Sequence, residues 1–391
     1  MLNTSFAPWP SFTQEEADAV ARVLLSNKVN YWTGDECRAF EREFAQWCET
    51  SHAIALANGT VALDLAWKAL GIGPGDEVIV TPRTFIASAS SILTAGAVPV
   101  FADVDADSQN ITPETASRVI SARTKAILCV HLAGWPCEMD GLQDLARTHN
   151  LKLVEDCAQA HGAVYRGRSV GSWSDMAAWS FCQDKIMTTG GEGGMLTTSD
   201  AALWSSAWSY KDHGKSWQAV YERVHPPGFR WLHESIGTNW RMIEMQAVIG
   251  RLQLARMSDW SAKRRAHADA IFRAASRHDV VRVPRVPNHM QHAYYKAYIF
   301  VRPEALSDGW SRDRIAAEIT ALGVPCYQGS ASEVYLEKAF DSAPGRPANR
   351  LPVARELGET SLMFLVHPTL TSDDISKTCD AIDRVLGMAT R

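Results

Sequence analysis

The chain has 391 residues, 46% of them hydrophobic, and a formal net charge of −5. That length and apolar content suit a large domain plus a smaller one, and the mild negative charge supplies no field to draw in a nucleic-acid backbone. The one tight basic cluster, Lys263-Arg264-Arg265, falls in a predicted helix and reads as a solvated face. Eight cysteines with no CxxC pair, several of them inside apolar runs, point to reduced thiols and a cytoplasmic location. The amino terminus MLNTSFAPWP lacks the basic and apolar regions of a secretory leader. The longest uncharged stretch, Thr84 to Ala102, is interrupted by Gly96 and Pro99, as a helix followed by a buried strand would be; no membrane span is expected.

In chain order, Thr13 and Glu16 make a capping box before Val20, Val23 and Leu24, and Phe40, Phe44 and Trp47 share one face of a second helix. From His52 apolar strands alternate with helical segments: HAIALA and a helix over 59–70, EVIV and a helix ending near Gly96, VPVFA and a helix from Pro113, AILCVHL and a helix over 142–148, then LKLVE, AAWSF and MLTT. That rhythm predicts an α/β fold with a mostly parallel central sheet covered by helices. The pattern lapses between Tyr210 and Thr238, in a stretch containing HPPGFRWLH that is too long for a passive connector. Two helical segments, 240–257 and 258–275, lead into a smaller C-terminal α+β unit with the strand-like YYKAYIFV and a helix over 314–322. The domains expected are 1–257, large and ligand-binding, and 258–391, small.

The segment Ser180-Phe181-Cys182-Gln183-Asp184-Lys185 begins at a strand end and runs into Gly190-Gly191-Glu192-Gly193-Gly194. A lysine in a glycine-flanked turn can form a Schiff base where burial or a cation lowers its pKa and the backbone lets a flat molecule approach; alone, it is more often a solvated loop residue. Asp156 follows the strand LKLVE, where parallel sheets place ligands. A carboxylate there can hold a pyridine nitrogen protonated, which makes a pyridoxal ring an electron sink, although a helix N-cap is its commoner use. Asn58-Gly59-Thr60 follows HAIALA and opens a helix whose free N–H groups can cradle a phosphate, or simply be capped. The three in this order carry more weight than any one.

Three motifs carry no function. Gly71-Ile72-Gly73-Pro74-Gly75 runs from helix to strand, the reverse of a dinucleotide fingerprint. Asp103, Asp105, Asp107 and Glu114 mimic a calcium loop, but Ser108 stands where glycine is needed. His225 and His233 lack partners at zinc-ligand spacing and suit a surface or interface.

Taken together, YWTG near residue 31, NGTVALDLAWKALGIGPGDEVIVTPRTFIAS, VEDCAQAHGAVYRGRSVGSWSD, SFCQDK, GGEGGM and GTNWRMIEMQAVIG resemble the DegT/DnrJ/EryC1/StrS sugar aminotransferases of fold type I. The resemblance implies pyridoxal 5'-phosphate as cofactor, held and served as proton shuttle by Lys185, with Asp156 on the pyridinium nitrogen, Gln159 near the ring and Phe85 on its face. It implies Gly59, Thr60 and Ser180 on the phosphate, joined by Asn239 from the other subunit of a homodimer. An amino acid, glutamate by resemblance, would give its nitrogen in one half-reaction, and a keto group on a nucleotide-linked sugar would receive it in the other. The product would be an amino sugar for a surface polysaccharide. Two features depart from the family pattern: Cys182, Gln183 and Asp184 precede the lysine where aromatic, Pro or Thr residues are usual, and the 210–238 stretch is long. An acidic neighbour favours the charged amine and bears on rate and substrate. The rival readings are an aminotransferase for an inositol-like cyclic ketone and a sugar dehydratase using the same cofactor. The dehydratases carry histidine at the lysine position, so Lys185 weighs against them. A regulatory or structural protein keeping only the fold has no chemical need for Lys185, Asp156, Ser180 and Thr60 together.

Overall fold

The computed structural model describes residues 6–390; residues 1–5, where the stretch read for a leader begins, and residue 391 lie outside the described residues. The amino-terminal helix α1 (Gln14–Leu25) opens with the expected capping box, Glu16 Oε2 accepting from Thr13 N at 2.7 Å. The other oxygen of Glu16 accepts from Gln253 at 2.8 Å, so the cap also fastens α1 to α8 (Glu244–Ala255). Helix α2 (Glu36–Trp47) buries Phe40 and Phe44 in a core cluster with Trp179 and Phe181.

Seven strands form the central sheet: β1 (His52–Leu56), β2 (Glu77–Val80), β3 (Val98–Phe101), β4 (Thr124–Val130), β5 (Lys152–Asp156), β8 (Met176–Ser180) and β9 (Gly194–Thr198), in the order β1-β9-β8-β5-β4-β2-β3. All neighbours from β8 to β3 pair in parallel, whereas β9 runs antiparallel to β8 and β1. Val, Ile, Leu and Ala dominate these strands because helices cover both faces and leave no wet side. Along the chain those helices are α3 (Gly59–Leu70), α4 (Ala87–Thr94), the short α5 (Pro113–Ser117), α6 (Met139–Thr148) and α7 (Ala201–Lys211). The hairpin β6 (Val164–Tyr165) and β7 (Arg168–Ser169) joins β11 (Met290–Gln291) in a three-stranded sheet.

The carboxy-terminal part is built on an antiparallel sheet of β10 (Val281–Arg282), β12 (Ala297–Val301), β14 (Ser361–Phe364) and β13 (Cys326–Tyr327). Helices α9 (Met257–Ala275), α10 (Arg312–Ala321) and α12 (Ser372–Ala389) contribute Ile271, Ile319 and Val385 to its core, beside Ile299 and Leu362 of the sheet. Helix α11 (Pro352–Thr360) packs Ala354 and Leu357 into a third cluster.

Three sequence expectations need correction. Residues 240–243 are extended, not helical, because Arg241 bridges Leu56 and Ile243 bridges Asn30. Tyr294, Tyr295 and Lys296 precede β12 instead of lying in it, since Ala293 N and Tyr295 N bond to Gly134 O and Ala133 O. Within the basic cluster Lys263 and Arg265 are exposed, but Arg264 is buried, drawn in by the carbonyls of Tyr294 and Tyr295 at 3.4 Å and by the Trp9 ring, whose centroid lies 5.2 Å from its guanidinium. Between Lys211 and Trp240 the chain is irregular apart from a π-turn at Gln218–Glu222.

Candidate active site

The carboxyl ends of β5 and β8 and the amino terminus of α3 open into one cavity of about 1190 Å³, above the roughly 300–1,000 Å³ typical of a single small-ligand pocket. Gly59, Thr60, Phe85, Asp156, Gln159, Ser180 and Lys185 all line it. Asn239 does not: it is exposed, in a bridge to Asp212.

Where α3 begins, Asn58 caps it by accepting from Val61 N at 3.0 Å, which leaves the N–H groups of Gly59 and Thr60 without an acceptor among the described residues. Such groups at a helix start bind anions. A Cβ on Gly59 would fall 2.7 Å from Ser180 Cβ, so glycine is what allows this helix start to lie against the end of β8. Gly59→Ala is expected to cost about 1–3 kcal/mol from overpacking and to weaken cofactor binding; thermal melts and cofactor titration check both.

Asp156 is buried. Its carboxylate accepts from Ser88 Oγ at 2.7 Å and Ala158 N at 3.1 Å, and no cation pairs with it directly among the described residues. Burial pushes its pKa up. A buried carboxylate with no counter-charge fits a protonated ring nitrogen. Phe85, 67% exposed although large and apolar, presents at the same cavity a face for a flat ring to cover. Gln159 is anchored by accepting from Ala133 N at 2.8 Å.

Lys185 Nζ donates to Asp184 Oδ1 at 2.9 Å, and the hydroxyl of Tyr295 donates to the other oxygen of that carboxylate. Burial would raise the Asp184 pKa, but the Lys185 charge and the Tyr295 hydroxyl outweigh it, and the carboxyl lies below its ordinary range. Trp9 holds the lysine backbone by donating to Lys185 O at 2.8 Å. Positive φ at Gly190 (88°) and Gly191 (128°) lets the chain turn back beyond the lysine. Sequence reasoning missed Ser88, Tyr295, Tyr298 and Lys296, which all line the cavity. Their one local signal is a polar or charged residue inside an otherwise apolar run.

The discounted motifs have structural work. Gly71 is the left-handed C-cap of α3, and Asp105 and Asp103 accept backbone N–H groups of residues 107–108 and 353–354. His225 and His233 bond to the carbonyls of Ala219 and His213. The buried trio His131, Glu155 and Cys157 is compact, but His131 uses one ring nitrogen on Glu155 and the other on Cys137 N, which leaves no lone pair for a metal.

An amine able to condense with a carbonyl, an uncompensated carboxylate in the same cavity and free helix N–H groups are what pyridoxal-phosphate transfer chemistry asks of an α/β protein. The chain is a transaminase of that kind. It belongs to the DegT/DnrJ/EryC1/StrS aminotransferase family, whose model matches residues 10–383. A solved aminotransferase from Psychrobacter cryohalolentis is 64% identical, with a TM-score of 0.96 over 98% of this chain and 99% of that one. The dTDP-3-amino-3,4,6-trideoxy-alpha-D-glucose transaminase of Streptomyces venezuelae is 34% identical over 96% of this chain and 93% of its own. A GDP-perosamine synthase of Caulobacter vibrioides is 38% identical over 89% of each.

Proposed function

We propose that this enzyme moves an amino group from an amino acid, glutamate in the first instance, to a keto group of a nucleotide-linked sugar, making an amino sugar for a surface polysaccharide. The observation that carries the reading is the single cavity holding Lys185, Asp156, Phe85 and the Gly59–Ser180 cradle, with volume left for a large acceptor. Bound pyridoxal phosphate supplies an electron sink for the carbanion that deprotonation leaves on the substrate. Asp156 would keep the ring nitrogen charged, and Ser88 fixes the direction of that carboxylate. Phe85 would pack on the ring, while Gly59, Thr60 and Ser180 would hold the phosphate and Gln159 would border the ring. Lys185 Nζ, positioned by Asp184, would take the proton from the donor's α-carbon and deliver it to the cofactor carbon that takes up the nitrogen, and would carry a proton from that carbon to the acceptor's former keto carbon in the second half-reaction.

Two copies complete the site in this reading. Val224, Phe229, Trp231 and Ile236 of the 210–238 stretch are 94%, 76%, 80% and 91% exposed, a patch that a partner would cover. Asn239 at its end would then reach the partner's phosphate. Eight free cysteines suit a reducing cytoplasm, and among the described residues no helix is long and apolar enough to cross a membrane.

The test is a panel of nucleotide-linked 3-keto and 4-keto sugars with glutamate, read by mass spectrometry. Amino-sugar product from at least one is expected; none from any would shift the reading to a cyclic ketone acceptor.

A further inference from the structure

The cavity holds a second lysine that the transfer chemistry above does not use. Lys296 lies just before β12, on a segment stitched by Ala293 N and Tyr295 N to the carbonyls of Gly134 and Ala133. Ala133 N in turn donates to Gln159, so this segment and the cofactor cavity share one support. Lys296 Nζ makes no hydrogen bond or ion pair with the described residues; it lies over the Tyr295 ring, 4.7 Å to the centroid. The amine of Lys185 sits 5.6 Å from the same ring centroid, which places both ammonium groups around a single phenol.

The acids nearby cannot neutralise Lys296 by contact. Asp184 is committed to Lys185 and the Tyr295 hydroxyl, and Asp156 to Ser88 and Ala158. Behind Tyr295 the buried Arg264 adds a further positive charge, with Nε and Nη2 lacking a hydrogen-bond partner among the described residues. Burial and the Arg264 charge bring the Lys296 amine down to about 8. A cation kept half-buried without a counter-ion is costly unless an anion arrives to pair with it.

We propose that Lys296 is the recognition residue for the carboxylate of the amino donor, engaging it beside Lys185 while the donor's α-carbon is presented to the Lys185 amine. An amino acid carries its α-carboxylate one bond from the reacting carbon, so a cation in the immediate neighbourhood of Lys185 suits it. The phosphates of a nucleotide-linked sugar lie several bonds from the keto group. The inference rests on the transaminase reading but not on the sugar, because the donor half-reaction needs no acceptor.

The experiment uses the cofactor-loaded enzyme and glutarate, a dicarboxylate with no amine to transfer, with UDP and dTDP as probes of the acceptor side. Binding is measured by calorimetry for the wild type, Lys296→Met and Lys296→Arg. Glutarate is expected to bind about tenfold or more weakly to Lys296→Met and to recover most of that loss in Lys296→Arg, with UDP and dTDP binding unaltered. The donor half-reaction, followed by loss of the cofactor's visible absorbance with glutamate, should show the same order in its half-saturating glutamate concentration. Unaltered glutarate binding in Lys296→Met would overturn the proposal. So would loss confined to UDP and dTDP, which would assign the ammonium to the acceptor's phosphates. If Lys296→Met loses the cofactor, Lys296→Gln takes its place, with the same two outcomes deciding.

Discussion

Lys185→Ala is expected to lower turnover by roughly 10³–10⁴-fold or more, because it removes the amine proposed both to carry the proton and to hold the cofactor. The fold should survive. The lysine side chain retains 18% exposure and its removal opens no sealed cavity, while Asp184 keeps the Tyr295 hydroxyl as a donor. Asp156, Phe85 and the Gly59–Ser180 cradle remain, so the variant should still take up pyridoxal phosphate, weakly and without the covalent link. Activity, the visible spectrum and circular dichroism read the three parts separately. Near-wild-type turnover in Lys185→Ala would remove the proton-shuttle role.

Asp156→Asn should separate stability from catalysis. The folded-state pKa of Asp156 is raised by burial, so between its ordinary value and the raised one the folded state holds a proton that the unfolded state releases. Stability from this group therefore falls as pH rises through that window, and above it the cofactor-free protein carries the full cost of a buried charge. Asparagine keeps the shape, accepts from Ala158 N and avoids that cost. Cofactor-free Asp156→Asn should accordingly melt at or above the wild-type temperature near pH 8, with the difference shrinking as pH falls toward the ordinary carboxylate range. With cofactor bound the order should reverse, since only the carboxylate pairs with a protonated ring nitrogen, and turnover should fall by roughly 10²-fold or more. Melting curves with and without cofactor across that pH range check the reversal. A cofactor-free variant much less stable than wild type would mean that Asp156 serves the fold and not the ring.

How legible the site was depends on how local its signals are. Asp156 and Ser180 end strands, Gly59-Thr60 open a helix and Lys185 lies in the turn just beyond β8, and the alternation of strand and helix marks those places. Nothing local announces that Tyr295 reaches the Asp184 carboxylate 111 residues away in sequence. Arg264 shows the same limit from the other side: between Lys263 and Arg265 its charge suggests solvent, yet packing turns it toward Trp9 and the Tyr295 carbonyl. The acidic residue before the lysine, unusual on sequence alone, becomes intelligible once its second partner is seen. A carboxylate shared between Lys185 and Tyr295 orients the amine instead of merely charging it.

The central claim, that Lys185 is the amine holding pyridoxal phosphate, has a direct measurement in borohydride reduction of the cofactor-loaded protein followed by peptide mapping. The phosphopyridoxyl group should be fixed on the peptide containing Lys185 and absent from the one containing Lys296. Labelling at Lys296, or none at either lysine, would contradict the account.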